Sequence, residues 1–129
     1  MIYLDTSVAL AHLLAEDRHP PDAMWEQTIV SSRLLEYELW CRIHARRLGT
    51  SHREAVQALL GRVAFLELIP EVVGRAREPF PVEVRTLDAL HLASLHFLKE
   101  QVSGVVLASY DQRMLSAARR LKFKTYPLG

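Results

Sequence analysis

The sequence predicts an α/β fold in which helices cover both faces of a central, mainly parallel sheet, a three-layer α/β/α arrangement. Short apolar segments alternate along the chain with longer segments that carry helical patterns and capping residues. The length of 129 residues and the hydrophobic content of 50% suit a single domain, residues 1–129, with one sizeable core. No internal repeat or linker indicates a second domain.

The chain is predicted to open with a strand and a helix. Residues 2–4 are apolar and predict the strand, and a helix follows over residues 8–15. Thr6 or Ser7 can supply the cap of that helix, because a hydroxyl accepts a hydrogen bond from a free backbone N–H. The two prolines within residues 19–21 then end the helical pattern.

Four helical segments and two strands are predicted next. A helix over residues 22–27 leads to a strand at 28–30, and a further helix begins after Ser31 or Ser32. That helix runs to about residue 48, where Gly49 stops it. The following elements are predicted in this order: a helix at 51–63, a strand at 64–69 closed by Pro70, and one or two helical turns within 71–77.

The last third of the chain is predicted to return to the strand and helix alternation. Pro79 and Pro81 predict a loop, which precedes a helix over residues 86–100. The segment 104–109 is rich in β-branched residues and predicts a strand. A helix at 111–121 and an edge strand at 123–126 complete the prediction.

Composition excludes several classes of protein. The 16 basic and 15 acidic residues give a net charge of +1, so the total charge does not indicate a polyanion partner. The single cysteine, Cys41, excludes an intramolecular disulfide and a cysteine-rich zinc site. No apolar stretch approaches the ~20 residues that cross a bilayer, and no leader pattern opens the chain. We therefore expect a cytoplasmic protein without a membrane partner.

Four acidic residues that are distant in sequence occupy places that a parallel fold can bring to one cleft. They are Asp5, Glu38, Asp88 and Asp111. Asp5 and Asp111 follow predicted strands, and ligands of such sheets gather beyond the carboxyl ends of the strands. Clustered carboxylates repel one another unless a proton or a cation neutralises them. Carboxylate oxygens suit Mg²⁺ or Mn²⁺, so the hypothesis is metal-dependent cleavage of nucleic acid.

Simpler interpretations exist for each acid. Asp5 can cap the first helix, and Asp88 can be favoured by the helix dipole in a first turn. Glu36 lies two residues from Glu38 but is placed to pair with Arg33, which favours Glu38 as the cleft residue.

Histidines and basic residues leave alternatives open. The six histidines show no zinc spacing, and His91 can face the cleft or be a hydrogen-bonded structural residue. Two basic groups can bind phosphates or form solvated helix faces. They comprise Arg42, Arg46, Arg47 and Arg53, and then Arg113, Arg119, Arg120, Lys122 and Lys124.

Four local sequences together resemble a known family. They are the opening Leu4-Asp5-Thr6-Ser7-Val8, the serine-led helix that carries Glu38, the run TLDALHLA at 86–93, and the run SYDQR at 109–113. In this combination and order the chain resembles the PIN-domain ribonucleases, and it is most similar to the VapC toxins of type II toxin–antitoxin pairs. The resemblance covers nearly the whole chain.

The resemblance implies an endoribonuclease whose Mg²⁺ or Mn²⁺ is held by the four acids. Thr6, Ser7 and Ser109 match supporting positions, and Arg42, Arg46 and Arg113 are the candidate RNA contacts. Hydrolysis would leave a 5′-phosphate and a 3′-hydroxyl.

The partners implied are an RNA, with tRNA or rRNA favoured, a cognate VapB-like antitoxin and a second copy of the chain. Operator DNA would be reached only through the antitoxin. The alternatives are a PIN-fold nuclease of RNA processing without a toxin role and a non-catalytic module that binds protein or RNA.

Overall fold

A computed structural model describes all 129 residues. Its strands are β1 (Ile2–Leu4), β2 (Ile29–Ser32), β3 (Val63–Leu66), β4 (Val106–Ala108) and β5 (Lys124–Thr125). Its helices are α1 (Thr6–Leu13), α2 (Leu34–Ala45), α3 (Arg53–Leu60), α4 (Pro70–Ala76), α5 (Thr86–Gln101) and α6 (Gln112–Arg120). A 3₁₀ helix at Asp22–Glu26 precedes β2. The three-layer α/β/α prediction is confirmed.

The sheet is parallel throughout and has the order β3-β2-β1-β4-β5. β1 lies in the centre, where Tyr3 is in register with Val30 of β2 and Leu107 of β4. After β1, the chain adds β2 and β3 on one side of the sheet, and it later adds β4 and β5 on the other side. The point between β1 and β4 is therefore the switch point of the sheet, where α/β folds form their ligand clefts.

The side-chain alternation of β1 divides the core between the two faces of the sheet. Ile2 and Leu4 pack on one face with apolar residues of α1, α2 and α3. Tyr3 points to the other face and packs with residues of α5 and α6. Because successive strand residues point to opposite faces, a strand of three apolar residues can serve both cores. None of the helices has the length and apolar character that a membrane crossing requires.

The predicted cap of the first helix is wrong. α1 begins at Thr6, and Asp5, with extended backbone angles, is the residue that flanks it. The hydroxyls of Thr6 and Ser7 do not cap the helix, since they donate to Glu38 and Asp5 respectively. Contacts within the cleft therefore take precedence over capping at this helix.

The boundaries of α2 also differ from the prediction. Ser31 belongs to β2 and donates to the carbonyl of Leu4, while Ser32 accepts from the backbone N–H of Leu34 at 3.1 Å. The helix ends at Ala45, so Gly49 does not stop it. The left-handed turn falls on Arg47, whose φ is 57°.

Smaller shifts affect the next elements. Residue 63 is the first of β3 rather than the last of a helix, because Val63 pairs in register with Ile29. β3 ends at Leu66, before the predicted limit, and Pro70 is the first residue of α4. Proline suits that position because its missing N–H would have no partner in a first helical turn.

Candidate active site

A cleft of about 470 Å³ lies beyond the carboxyl ends of the central strands. Its lining includes the four acids singled out in the sequence, Asp5, Glu38, Asp88 and Asp111. Asp5 follows β1, Asp111 follows β4, and the other two lie on α2 and α5. The fold thus brings all four carboxylates to one cleft. For Asp5 and Asp111 this follows from the parallel topology, which places the residues after its central strands at one edge of the sheet.

Asp5 is nearly buried, with 5% of its surface exposed. Its backbone N–H donates to the carbonyl of Ala108 at 3.0 Å, which ties the end of β1 to β4. Its Oδ2 accepts from the hydroxyl of Ser7 at 2.6 Å and from that of Ser109 at 2.8 Å. These two hydroxyls hold the carboxylate in one orientation and leave Oδ1 for another ligand.

Glu38 takes part in a chain of hydrogen bonds that runs into the core. Its Oε1 accepts from the hydroxyl of Thr6 at 2.9 Å and lies 2.5 Å from Nε2 of His91. Since a carboxylate only accepts, Nε2 is the donor. Nδ1 of His91 lies 2.9 Å from the hydroxyl of Tyr3, and both side chains are buried. His91 is therefore a structural residue that fixes a cleft acid.

Opposing effects act on the pKa of His91. Burial lowers it, but the hydrogen bond and the charge of Glu38, with further contributions from Asp5 and Asp88, raise it above its usual 6.5. Burial also raises the pKa of the Tyr3 phenol well above its usual value, so that group stays neutral. The imidazole thus gains a partner whose charge favours the protonated ring.

We expect the metal-free protein to gain stability from His91 at low pH and to lose it at high pH. A histidine with a raised folded pKa stabilises fully below its unfolded pKa of about 6.5, and the gain disappears as pH rises through the folded value. The free energy of unfolding of wild type minus that of His91→Gln should therefore fall with pH. His96→Gln, a partly exposed histidine on the same helix, is the control. A difference that does not vary with pH contradicts this expectation.

Asp88 and Asp111 are joined by one guanidinium. Arg85 donates from Nε to Oδ2 of Asp88 at 3.1 Å and from Nη2 to Oδ2 of Asp111 at 2.7 Å. The Oδ1 of Asp111 accepts from the backbone N–H groups of Arg113 and Met114, so this acid also caps α6. Burial raises the pKa of Asp88, and the charges of Asp111 and Asp5 add to that rise while Arg85 opposes it.

Comparison with known proteins shows the family. A family model described as "PIN domain" matches residues 2–120. Ribonuclease VapC47 of Mycobacterium tuberculosis (strain CDC 1551 / Oshkosh) is 32% identical over 136 residues, which cover 100% of this chain and 98% of that protein. The chain belongs to the VapC family of PIN-domain proteins. Ribonuclease VapC46 of M. tuberculosis (strain ATCC 25618 / H37Rv) is also 32% identical, over 93% of this chain and 92% of its own.

A solved structure has the same fold as this PIN domain. It is the crystal structure of M. tuberculosis VapC20, which is described as a toxin that cleaves the sarcin-ricin loop. The TM-score is 0.68, and the match covers 91% of this chain and 95% of that one at 20% sequence identity. The likeness confirms the PIN-like α/β/α architecture.

The cleft of this PIN domain fits a divalent cation in the chemistry of its donors. Four carboxylates and the hydroxyls of Thr6 and Ser7 offer the oxygen ligands that Mg²⁺ and Mn²⁺ prefer. No group of three aspartate, glutamate, histidine or cysteine side chains is arranged closely enough in this structure to hold a metal ion. Arg85 bridges two of the acids, and hydroxyls or His91 hold oxygens of the other two. The donor set fits, and Arg85 engages Oδ2 of both Asp88 and Asp111.

The candidate RNA contacts divide between two neighbouring depressions. Arg42 of α2 and Arg46, which directly follows α2, line the acidic cleft. Arg113 does not line it, but lies in an adjoining depression of about 670 Å³ that Arg85 and Thr86 also line. The two depressions share Arg85 and Thr86, so basic groups extend from the acidic cleft onto the adjoining surface.

Two arginines that line the cleft were not predicted from the sequence. Arg18 lines the cleft and donates from Nη1 to the carbonyl of Tyr110 at 3.2 Å, with its guanidinium over the Tyr110 ring. Nothing in the local sequence indicates that contact, which spans 92 residues. Arg85 could have been found, because it precedes Asp88 by three residues at the start of a helix, a spacing at which side chains meet. The predicted pair of Arg33 with Glu36 is present at 3.6 Å, and Glu36 is outside the cleft.

Proposed function

We propose that this VapC-family protein is a metal-dependent endoribonuclease that acts as the toxin of a type II toxin–antitoxin pair. The observation that carries the proposal is the convergence of four carboxylates on one cleft that arginines also line. Carboxylates suit a hard cation, and arginines suit the phosphates of a nucleic acid. Membership of a family whose relatives are named ribonucleases supports RNA as the substrate.

The residues that would hold Mg²⁺ or Mn²⁺ are Asp5, Glu38, Asp88 and Asp111. A divalent cation supplies two kinds of chemistry here, since it polarises a phosphate oxygen and lowers the pKa of a coordinated water. The chain supplies the geometry. Ser7 and Ser109 fix the carboxylate of Asp5, while Thr6 and His91 fix that of Glu38.

Arginines position the RNA. Arg42 lies on the same helix as Glu38, and Arg46 directly follows the end of that helix. Both line the cleft, so they can bind phosphates on either side of the bond to be cut. Arg113 extends this contact into the adjoining depression. Charge contacts of this kind bind any RNA sequence, because phosphates carry no base information. Preference for tRNA or rRNA is proposed from the family alone.

The proposed partner is a VapB-like antitoxin that covers the cleft, and the proposed assembly contains two copies of the toxin. Operator DNA would be bound through the antitoxin. A neighbouring gene for a small protein that co-purifies with this chain and stops RNA cleavage is the expected finding. A nuclease of RNA processing would have no such inhibitor beside it.

The proposal is tested by cleavage of a panel of tRNA, rRNA fragments and mRNA in Mg²⁺ or Mn²⁺. We expect cleavage to fall by about 10²-fold or more when the metal is chelated, because loss of the ion removes its stabilisation of charge in the transition state. Cleavage should return when the metal is restored. Single-stranded DNA of the same sequence is the matched substrate control.

The ends of the products provide a second criterion. Attack by water predicts 5′-phosphate and 3′-hydroxyl ends. Products with a 2′,3′-cyclic phosphate would show attack by the ribose hydroxyl and contradict attack by water. Cleavage that is unaffected by chelation would contradict the metal dependence.

A further inference from the structure

Arg85 stands between the two acids of the cleft that lie on the α5 and α6 side. It is the residue that flanks the N-terminus of α5, and its guanidinium bonds Oδ2 of Asp88 at 3.1 Å and Oδ2 of Asp111 at 2.7 Å. The Asp88 and Asp111 side chains are 14% and 22% exposed, whereas that of Arg85 is 62% exposed. One guanidinium thus ties the starts of two helices together from the solvent side.

The contact has an electrostatic reason. Asp88 carries a penalty from burial and from the nearby charges of Asp111 and Asp5, which together raise its pKa. Arg85 is the cation that opposes this penalty. Its exposure lets it leave at little cost, because an ion pair open to solvent gains only modest Coulomb energy.

At Asp111, Oδ2 is also the oxygen open to a metal, because Oδ1 already accepts from the backbone N–H groups of Arg113 and Met114. Mg²⁺ binds oxygen ligands at about 2.0 to 2.1 Å, and Nη2 of Arg85 already lies 2.7 Å from Oδ2 of Asp111. Arginine and metal therefore compete for Oδ2 of Asp111, and the charge of the guanidinium opposes a cation beside Asp88.

A released Arg85 has a second position available. It lines both the acidic cleft and the adjoining depression, where Arg113 and Gln112 lie at the start of α6. A guanidinium that moves from the first to the second would stand beside Arg113, and two arginines side by side suit a phosphate.

We propose that Arg85 is the internal counterion of Asp88 and Asp111, that the divalent cation displaces it, and that the displaced guanidinium binds an RNA phosphate beside Arg113. The RNA part of this inference rests on the proposed function. The exchange couples metal binding to substrate binding, since the ion that neutralises the acids also frees an arginine for the RNA.

The first measurement is Mn²⁺ binding to the RNA-free protein by titration calorimetry. We expect Arg85→Gln to bind Mn²⁺ about two- to tenfold more tightly than wild type, because two exposed ion-pair contacts no longer compete. Arg85→Lys keeps the charge but loses the two-point contact, so its affinity should lie between the two. Arg33→Gln is the matched control, because Arg33 also contacts two acids, Glu36 and Glu67, outside the cleft.

The second measurement is the KM for RNA as a function of salt at saturating Mn²⁺. Loss of one phosphate contact from a single strand should reduce the slope of log KM against log salt by about 0.7. KM should rise for Arg85→Gln while kcat changes less, and Arg33→Gln should behave as wild type.

The two measurements separate the possible failures. If Arg85→Gln binds Mn²⁺ no more tightly than wild type, Arg85 is not a counterion that competes with the metal. If the slope of log KM against log salt is unchanged in Arg85→Gln, Arg85 does not contact an RNA phosphate. If wild type binds Mn²⁺ but cuts no RNA, the proposed function fails, and the calorimetry still decides whether Arg85 competes with the ion.

Discussion

Asp5→Asn is expected to reduce RNA cleavage by at least about 10²-fold, because residues that merely support a metal ligand already contribute 10- to 100-fold. Asp5 is nearly buried beside the central strands, and two hydroxyls orient its carboxylate. Asparagine has almost the same shape and can still accept from Ser7 and Ser109, so the substitution removes the charge while it preserves the local geometry. The loss should appear in kcat and in the metal affinity.

The measurement is the initial rate of RNA cleavage, with Mn²⁺-dependent thermal stabilisation as a readout that needs no RNA. A ligand that binds the native state raises the unfolding temperature. Mn²⁺ should therefore raise the unfolding temperature of wild type more than that of Asp5→Asn. Asp22→Asn, an exposed aspartate outside the cleft, is the matched control. Equal cleavage by wild type and Asp5→Asn would reveal a contaminating nuclease or a wrong site.

Leu39→Ala should have the largest effect on stability. Leu39 is fully buried on α2 and packs in the core cluster with residues of β1 and α1. Truncation of a buried leucine removes apolar contacts and leaves a cavity, which costs about 2–5 kcal/mol. The total stability of a domain is about 5–15 kcal/mol. The loss would also weaken the support of Glu38, the preceding residue of the same helix.

Urea unfolding monitored by circular dichroism gives the comparison. The control is Leu68→Ala. Because Leu68 is 37% exposed, its truncation should change the free energy of unfolding by no more than about 0.5 kcal/mol. A midpoint for Leu39→Ala that equals wild type would show that α2 does not pack on the sheet as described.

Local patterns in the sequence predicted the elements but not their ends. The strand at residues 2–4 is correct to the residue because three apolar side chains stand between Met1 and a charged Asp5. Gly49 was expected to end α2, yet the left-handed residue is Arg47. The local preference of glycine for that conformation is worth only about 1–2 kcal/mol. Gly49 meets a different need, since a Cβ at this position would lie 2.8 Å from the His44 ring.

The sequence by itself determined the fold class, the family, and the presence of four acids at positions that a parallel sheet can gather. The fold class and the placement of the acids depend on hydrophobic periodicity and on which residues follow a strand, both of which are local properties. The family follows from the four local sequences that resemble those of PIN-domain proteins. Only the tertiary structure decided the polar partners of those acids. Glu38 meets His91 across 53 residues, and Arg85 meets Asp111 across 26. A side-chain hydrogen bond forms only between atoms about 3 Å apart, so such partners are fixed by how distant segments pack and are not visible in the order of residues.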